Sequence, residues 1–180
     1  MTTSSEIICD GFERVRGTFD TVATGLTEEH LQFTPAPGAN PIVWLLWHLT
    51  RVQDDHVADA AGSEQVWTTQ GFADSFKLPF ADVATGYGMD AAQVSLVTGV
   101  TADQLIDYHH AVHERTVEYV RSLSESDLDR VVDTRWNPPV TLASRLVSVI
   151  ADDLQHVGQA AYVKGLLGSA QLRARVTSGS

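Results

Sequence analysis

The chain has 180 residues, and its 23 acidic side chains outnumber 12 lysines and arginines, which gives a formal net charge of −11. A domain of this size buries about 70% of the surface that its unfolded chain exposes, so it needs no disulfide or structural metal to fold. The acidic balance argues against nucleic acid as a partner, and no run of about 20 apolar residues predicts a membrane span.

The first predicted helix covers about residues 5–24, where apolar side chains recur at steps of three and four. It carries Cys9, the only cysteine. A lone cysteine and a start without the basic and apolar regions of a signal peptide predict a protein of the reducing cytoplasm. The sequence fixes no histidine or basic residue beside Cys9, so we expect this thiol to be structural rather than nucleophilic.

The second predicted helix is IVWLLWHLTRVQDDHVADAA, with Asn40 as its N-cap, Pro41 in its first turn and Gly62 at its end. A connector with three prolines precedes it. The stretch up to residue 100 mixes glycine, proline and aromatic residues, and only AAQVSLV suggests a short helix. Its aromatic residues are predicted either to close over a ligand pocket or to cover the end of the bundle; they are Trp67, Phe72, Phe76, Phe80 and Tyr87.

The third predicted helix begins with a capping box formed by Thr101 and Gln104 and ends near residue 124. The fourth covers about residues 141–167 and is expected to end at Gly168. Four amphipathic helices without a convincing strand pattern predict an all-α four-helix bundle, with a long connection between helices two and three. We expect one domain over residues 1–170 and a polar C-terminal tail over residues 171–180.

Two histidines and a carboxylate form the strongest candidate site. Asp152 and His156 are four residues apart, so they share one face of a helix. His48 and His156 both fall on apolar stripes, where an unpaired polar group is costly to bury. Together the three predict a divalent metal site with an open coordination position. Asp153 is a rival ligand, and the alternative for the histidines is a metal-free core in which carbonyls or hydroxyls satisfy them.

A second histidine pair, His109 and His113, stands four residues apart in YHHAVHE of the third helix. Its spacing suits a metal equally well, but histidines clustered on a polar helix more often face solvent or support ligands from outside the coordination sphere. Asp55 and His56, about two turns beyond His48, are expected to face water or to support the site.

The segments WLLWHLTRVQDDH and DDLQHVGQAAYVKGL resemble the DinB-like superfamily of metal-binding four-helix bundles over nearly the whole chain. The resemblance implies that His48 and His156 bind a divalent cation, usually zinc or nickel, and it extends to Gln159. Many members have histidine at position 152, and the branch similar to mycothiol-dependent enzymes also has a carboxylate there, so the resemblance favours Asp152 over Asp153. An oxygen ligand leaves Zn²⁺, Ni²⁺, Mn²⁺ and Fe²⁺ open.

No Ser/His/Asp arrangement or nucleotide fingerprint is present, so catalysis would depend on the metal. The branch includes S-transferases that use mycothiol or bacillithiol and a mycothiol-dependent maleylpyruvate isomerase. The resemblance implies transfer of a low-molecular-weight thiol, activated as a metal-bound thiolate, to a small electrophile. We expect Arg145 and Gln159 to orient the substrate. The alternative is a metal-binding stress or ligand-binding protein without turnover.

Dimerisation is a further expectation. Trp44 and Trp47 make the second predicted helix apolar on more than one side. Bundles with such a surface often pair through a helix face, so we predict a homodimer.

Overall fold

Four long helices make up most of the protein. The computed structural model describes the backbone of residues 1–178 and the side chains of residues 1–168. In chain order the helices are α1 (Ser4–Ala23), α2 (Glu28–Gln32), α3 (Ile42–Ala61), α4 (Val66–Thr69), α5 (Phe72–Phe76), α6 (Ala91–Val94), α7 (Ala102–Ser122) and α8 (Leu142–Ser178). A 3-10 helix (Glu125–Asp129) and two strands, β1 (Val131–Asp133) and β2 (Val140–Thr141), precede α8. The predicted all-α bundle, with its long connection between α3 and α7, is confirmed.

Helices α1 and α8 lie side by side and run in the same direction. Near one end, a Cβ atom on Gly11 of α1 would lie 2.8 Å from Ile150 of α8. Near the other end, Lys164 Nζ of α8 donates to the carbonyl oxygens of Thr21 and Val22. The absent side chain at Gly11 therefore allows the close approach of the two helices.

Helix α3 runs parallel to α7 and antiparallel to α8. Thr50 lies opposite His109 of α7 at 3.2 Å, and Tyr119, further along α7, donates to the carbonyl of Ala60 at the end of α3. Along α8 the contacts with α3 run in the opposite order: His48 contacts His156, and the later residue His56 contacts the earlier residue Arg145. The four long helices thus run up, down, down and up in chain order.

The helix starts agree with the sequence except at α3. Thr101 and Gln104 form the predicted capping box on α7. The prediction of Asn40 as N-cap of α3 is wrong, because Pro41 has an extended ψ of 160° and its carbonyl accepts the first helical bond from Leu45. Proline fixes φ but not ψ, so a proline expected in the first turn can also be the residue just before it.

The predicted end of the last helix is also wrong. Gly168 does not end α8, whose backbone stays helical to Ser178, so residues 171–178 of the expected tail continue the helix. The last two tail residues lie outside the described residues. One glycine inside a helix costs only about 1 kcal/mol relative to alanine, and the sequence AQLRAR that follows consists of good helix formers.

The sequence did not predict the β1–β2 hairpin, the 3-10 helix before it or the short helices α2, α4 and α5. Val131 pairs with Thr141 and Asp133 with Val140, with an irregularity between the two pairs. Strands of three and two residues are too short to show an alternating pattern. The hairpin leads directly into α8, because Leu142 N–H donates to the carbonyl of Arg130.

The apolar face that motivated the homodimer is covered within the chain. Trp44 and Trp47 are both buried, and Trp47 contacts Phe80 of the long connection. The homodimer therefore stays a prediction without its original basis. None of the helices within the described residues is long and apolar enough to cross a membrane.

A buried arginine ties the long connection to α3. Arg51 is fully buried, and its guanidinium donates to the carbonyl oxygens of Asp82 and Ala84 at 2.9 and 3.1 Å. It also donates to the Tyr108 hydroxyl, and Tyr108 in turn donates to Asp54, which lies 3.5 Å from Arg51. The network therefore fixes residues 82–84 directly beside the middle of α3.

We expect Arg51→Met to lower the free energy of unfolding by about 3 kcal/mol, because it leaves buried carbonyls and a buried carboxylate without their cation. Urea denaturation measures this change. The matched variant Arg115→Met, at a half-exposed arginine of α7, should change stability by no more than about 0.5 kcal/mol. Equal effects of the two substitutions would contradict the anchoring role.

Candidate metal centre

His48, Asp152 and His156 come together between α3 and α8. One ligand atom from each residue lies within 4.8 Å of the other two, and this is the only such group of three or more His, Cys, Asp or Glu side chains among the described residues. The imidazole rings of His48 and His156 meet edge to face, with centroids 4.8 Å apart. Ligand atoms on one tetrahedral zinc ion lie about 3.4 Å apart, so small side-chain rotations would bring all three onto one ion.

One ring nitrogen of His48 is hydrogen-bonded to the backbone. Its Nδ1 lies 2.5 Å from the carbonyl oxygen of Thr85, so Nδ1 carries the hydrogen and donates it. The Nε2 atom of the neutral ring therefore keeps its lone pair. Burial lowers the pKa of His48, and the neighbouring His156 lowers it further, although the bond to Thr85 opposes the shift. A metal ligand requires this neutral form.

The His156 ring is oriented in the same way by a different group. Its Nδ1 lies 3.0 Å from Gln159 Oε1 one turn further along α8, and an amide oxygen only accepts, so Nδ1 donates. The Nε2 atom lies 3.6 Å from Asp152 Oδ1. Trp44 stacks on the His48 ring and meets the His156 ring edge-on. Both imidazoles are therefore held with Nε2 available.

The carboxylate of Asp152 completes the cluster, and that of Asp153 does not. Asp152 Oδ2 is a buried atom without a hydrogen-bond partner in the described part of the chain, which is the state expected of an oxygen that a cation would satisfy. Both oxygens of Asp153 also lack a hydrogen-bond partner among the described residues, but Asp153 points into the bundle with 0% exposure and belongs to no such cluster. Burial raises the pKa of Asp153 well above its usual value, with a further contribution from Asp152.

The backbone at Gly86 approaches the His48 ring too closely for a side chain. A Cβ atom there would lie 2.7 Å from His48 Nδ1 and 3.1 Å from Trp47, and the φ angle of Gly86 is +95°. Both facts require glycine. This position follows Thr85, whose carbonyl binds His48, so the loop that Arg51 anchors also determines the orientation of the first candidate ligand.

A cavity of about 730 Å³ opens beside the cluster. His48 and Asp152 line one part of it, and Val52 and Val149 form an apolar part. Its volume falls in the range of small-molecule sites. A ligand in this cavity would therefore reach the candidate metal position directly.

The hairpin and the neighbouring helix turns form the other wall of the cavity. Asp133 binds Arg135 through both carboxylate oxygens, and Arg145 through Oδ2 at 3.0 Å. Hydrogen bonds from Arg135 hold the pKa of Asp133 well below its usual range. Arg145 also donates to His56 Nδ1 at 3.0 Å, and burial together with this arginine lowers the pKa of His56. His56 is therefore neutral at pH 7.

Of the two predicted substrate-binding residues, Arg145 lies at the cavity and Gln159 lies against His156. Arg145 lines the cavity together with His48 and Asp152, as its predicted role requires. Gln159 binds His156, so its contact in the structure orients a candidate ligand. The sequence missed Arg135 and Trp136, because the hairpin that carries them was not predicted. It also missed Gly86, for which the TGYG turn was the only signal.

The second histidine pair does not form a metal site. His109 is fully buried, stacks on Phe19 and bonds to Thr50, whereas His113 Nε2 pairs with Glu13 at 3.2 Å. Burial lowers the pKa of His109 well below its usual value, and nearby histidines add to the shift. His109 is thus a neutral part of the core.

Cys9 and the aromatic residues of the long connection are largely structural. Burial raises the pKa of the Cys9 thiol, although Arg121 opposes the shift, so the thiol stays protonated and weakly reactive. Three of the five aromatic side chains form a cluster with Tyr108, namely Trp67, Phe72 and Phe76. Phe80 contacts Trp47, and only Tyr87 is exposed and lines the cavity.

Comparison with known proteins gives one family and one described structural neighbour. The family model of the DinB superfamily matches residues 11–160. The crystal structure of a conserved protein of Enterococcus faecalis is similar at 27% sequence identity and a TM-score of 0.84, and the match covers 91% of this chain and 96% of that one. A search of curated proteins gives no match.

We expect His109 to make stability depend on pH. Its folded-state pKa is depressed, so below the unfolded-state pKa of about 6.5 only the unfolded chain takes up the proton, and stability falls by up to about 1.4 kcal/mol per pH unit. Urea unfolding at about pH 7.5 and 5.5 should show a smaller loss for His109→Phe than for wild type. Val112→Ala, which removes only apolar contacts, should keep the wild-type pH dependence. Identical pH slopes for His109→Phe and wild type would refute the prediction.

Two glycines allow a matched test of the loop beside His48. Gly86→Ala and Gly88→Ala both place alanine at a positive φ angle and should each cost about 1 kcal/mol. Only Gly86→Ala brings a Cβ atom against His48, whereas no described atom lies within 4 Å of a Cβ at Gly88. We expect zinc affinity, measured by chelator competition, to fall about 10- to 100-fold in Gly86→Ala alone. Equal losses in both variants would mean that backbone strain, not contact with His48, is responsible.

Proposed function

Because the chain belongs to the DinB superfamily of metal-binding helical proteins, we propose that it binds one divalent ion through His48, Asp152 and His156 and uses it to transfer a low-molecular-weight thiol to a small electrophile. The observation that carries the proposal is the position of two members of this cluster, His48 and Asp152, on the wall of a 730 Å³ cavity. Three protein ligands leave a coordination position for a substrate.

The ligand set suits a borderline cation. Two neutral imidazole nitrogens and one carboxylate oxygen bind zinc well and are also compatible with nickel, manganese and iron. Thr85 and Gln159 accept the Nδ1 hydrogens of the two histidines, which fixes their tautomers and increases their basicity. The orphaned Oδ2 atom of Asp152 supplies the negative charge.

A divalent ion held by His48, Asp152 and His156 would supply Lewis acidity and so would favour the thiolate form of a thiol in the cavity. The thiol gives up its proton to solvent, its sulfur forms a bond to the electrophilic carbon, and the leaving group departs. No cysteine of the chain is needed as nucleophile, which agrees with the buried, protonated state of Cys9.

The remaining residues of the cavity position the substrate. Val52 and Val149 offer apolar contact to the body of the thiol or electrophile. Arg145, whose side chain is mostly buried and held by Asp133, is suited to bind a polar group at a fixed place. The cavity volume of about 730 Å³ lies in the range of sites for small molecules, which supports a low-molecular-weight thiol as the ligand.

Metal analysis of chelator-free protein tests the first half of the proposal. We expect about one equivalent of metal in wild type and less than about a tenth of an equivalent in His156→Ala and Asp152→Ala. His110→Ala is the matched control, because His110 lies on α7 and pairs with Asp20 outside the cluster. A wild-type protein that binds less than about a tenth of an equivalent would contradict the metal site.

An activity assay tests the second part of the proposal, the transfer of a thiol to an electrophile. Thiol consumption with chlorodinitrobenzene should require the metal and should be lost in His156→Ala while circular dichroism shows an intact fold. Full metal binding without turnover for any thiol would favour the alternative, a metal-binding stress or ligand-binding protein.

A further inference from the structure

We infer that the hairpin wall of the cavity, formed by Arg135, Arg145 and His56, is a binding site for a carboxylate group carried by the ligand. This inference rests on the proposed function only in placing the rest of that ligand at the metal. The binding itself depends on the chemistry of the wall, which offers hydrogen-bond donors and positive charge.

Asp133, the carboxylate that contacts both arginines of this wall, has no capacity left for a ligand. Asp133 Oδ1 accepts the backbone N–H and the Nε–H of Arg135, and Oδ2 accepts one Nη2 hydrogen from Arg135 and one from Arg145. These four bonds fill the roughly four lone-pair sites of a carboxylate. One negative charge is therefore shared between two guanidinium groups, so Arg135, Arg145 and Asp133 together carry one net positive charge, while Asp55 and Asp152 line other parts of the cavity.

Arg135 keeps donors that a ligand in the cavity can reach. A guanidinium has five N–H groups, and Arg135 uses two of them on Asp133. Its side chain is 83% exposed, so the remaining donors are accessible. Planar N–H pairs of this kind match the geometry of a carboxylate.

His56 adds a third donor because Arg145 determines its tautomer. A guanidinium can only donate, so His56 Nδ1 accepts and Nε2 carries the ring hydrogen. The neutral ring, favoured by burial and by Arg145, thus presents N–H to a ligand. Asp55 is the acidic neighbour of His56, but its Oδ1 atom already accepts from Gln65 at 2.7 Å.

Exposed aromatic side chains at the cavity indicate the rest of the ligand. Trp136, next to Arg135, is 64% exposed, and Tyr87 is 92% exposed, and both line the cavity. Aromatic faces of this kind pack against an apolar or flat ligand body. The ligand class is therefore a small carboxylic acid whose apolar body lies between the arginine wall and the metal cluster.

The binding test uses a matched acid and amide on the metal-free protein. Hexanoate and hexanamide have the same length and differ in charge. We expect hexanoate to bind about tenfold more tightly, as measured by NMR shifts of the Trp136 indole N–H, assigned with Trp136→Phe. The preference should decrease as added salt screens the exposed arginine.

Substitution of the exposed arginine tests the wall directly. Arg135→Gln should abolish the preference for hexanoate, and Arg135→Lys, which keeps the charge but loses the planar donor pair, should retain part of it. Arg115→Gln, at an exposed arginine of α7, is the control and should keep the wild-type preference. Equal binding of acid and amide to wild type, or an unchanged preference in folded Arg135→Gln, would overturn the inference.

Two further arms identify which substrate carries the carboxylate. With cobalt-loaded protein, tighter binding of mercaptohexanoate than of mercaptohexanamide, seen in the thiolate absorption band, would assign it to the thiol. A preference for iodoacetate over iodoacetamide with mercaptoethanol, lost in Arg135→Gln, would assign it to the electrophile. A hexanoate preference that depends on Arg135 while both arms show none would support the carboxylate site and contradict its part in thiol transfer, so the two proposals fail separately.

Discussion

The hydrogen bond from His48 Nδ1 to the carbonyl of Thr85 is the constraint on which the site depends. A buried imidazole needs one satisfied nitrogen, and the choice of that nitrogen decides which one remains for a cation. Two features favour this bond: Arg51 holds the preceding carbonyls in place, and Gly86 allows the backbone to approach the ring. A loop of the long connection, which has no helical pattern, thus determines which ring nitrogen of His48 on α3 is available to a metal ion.

The adjacent residues Asp152 and Asp153 differ in environment, because one lines the cavity and the other faces the core. Asp153 faces the core, where burial favours the neutral acid. Asp152, rotated by about 100° around α8, reaches the seam with α3 and lines the cavity. Across the cavity, Asp133 is fully bonded to Arg135 and Arg145. Carboxylates therefore lie on both sides, but only that of Asp152 keeps an unbonded oxygen where an ion would bind.

Local patterns in the sequence predicted the four long helices and the two candidate histidines, since helical period and four-residue spacing are properties of neighbouring residues. The choice of Asp152 over its neighbour Asp153 came from the family resemblance. Features that depend on distant contacts were not predictable in this way. Arg51 shows no local sign that it would be fully buried, and the loop around Gly86 has no repeating pattern that relates it to His48. The hairpin was missed because its strands are short, and Gly168 was misread because a glycine signal near the end of a helix does not always stop it.

The up, down, down, up order of the long helices separates the two halves of the site by about a hundred residues of chain. During synthesis, α3 emerges with His48 long before α8 supplies the other two side chains. A cation cannot guide the early steps of folding under this arrangement, because a partial chain that lacks α8 offers only one of the three groups. A cation at this site would therefore bind only after α8 has packed against α3.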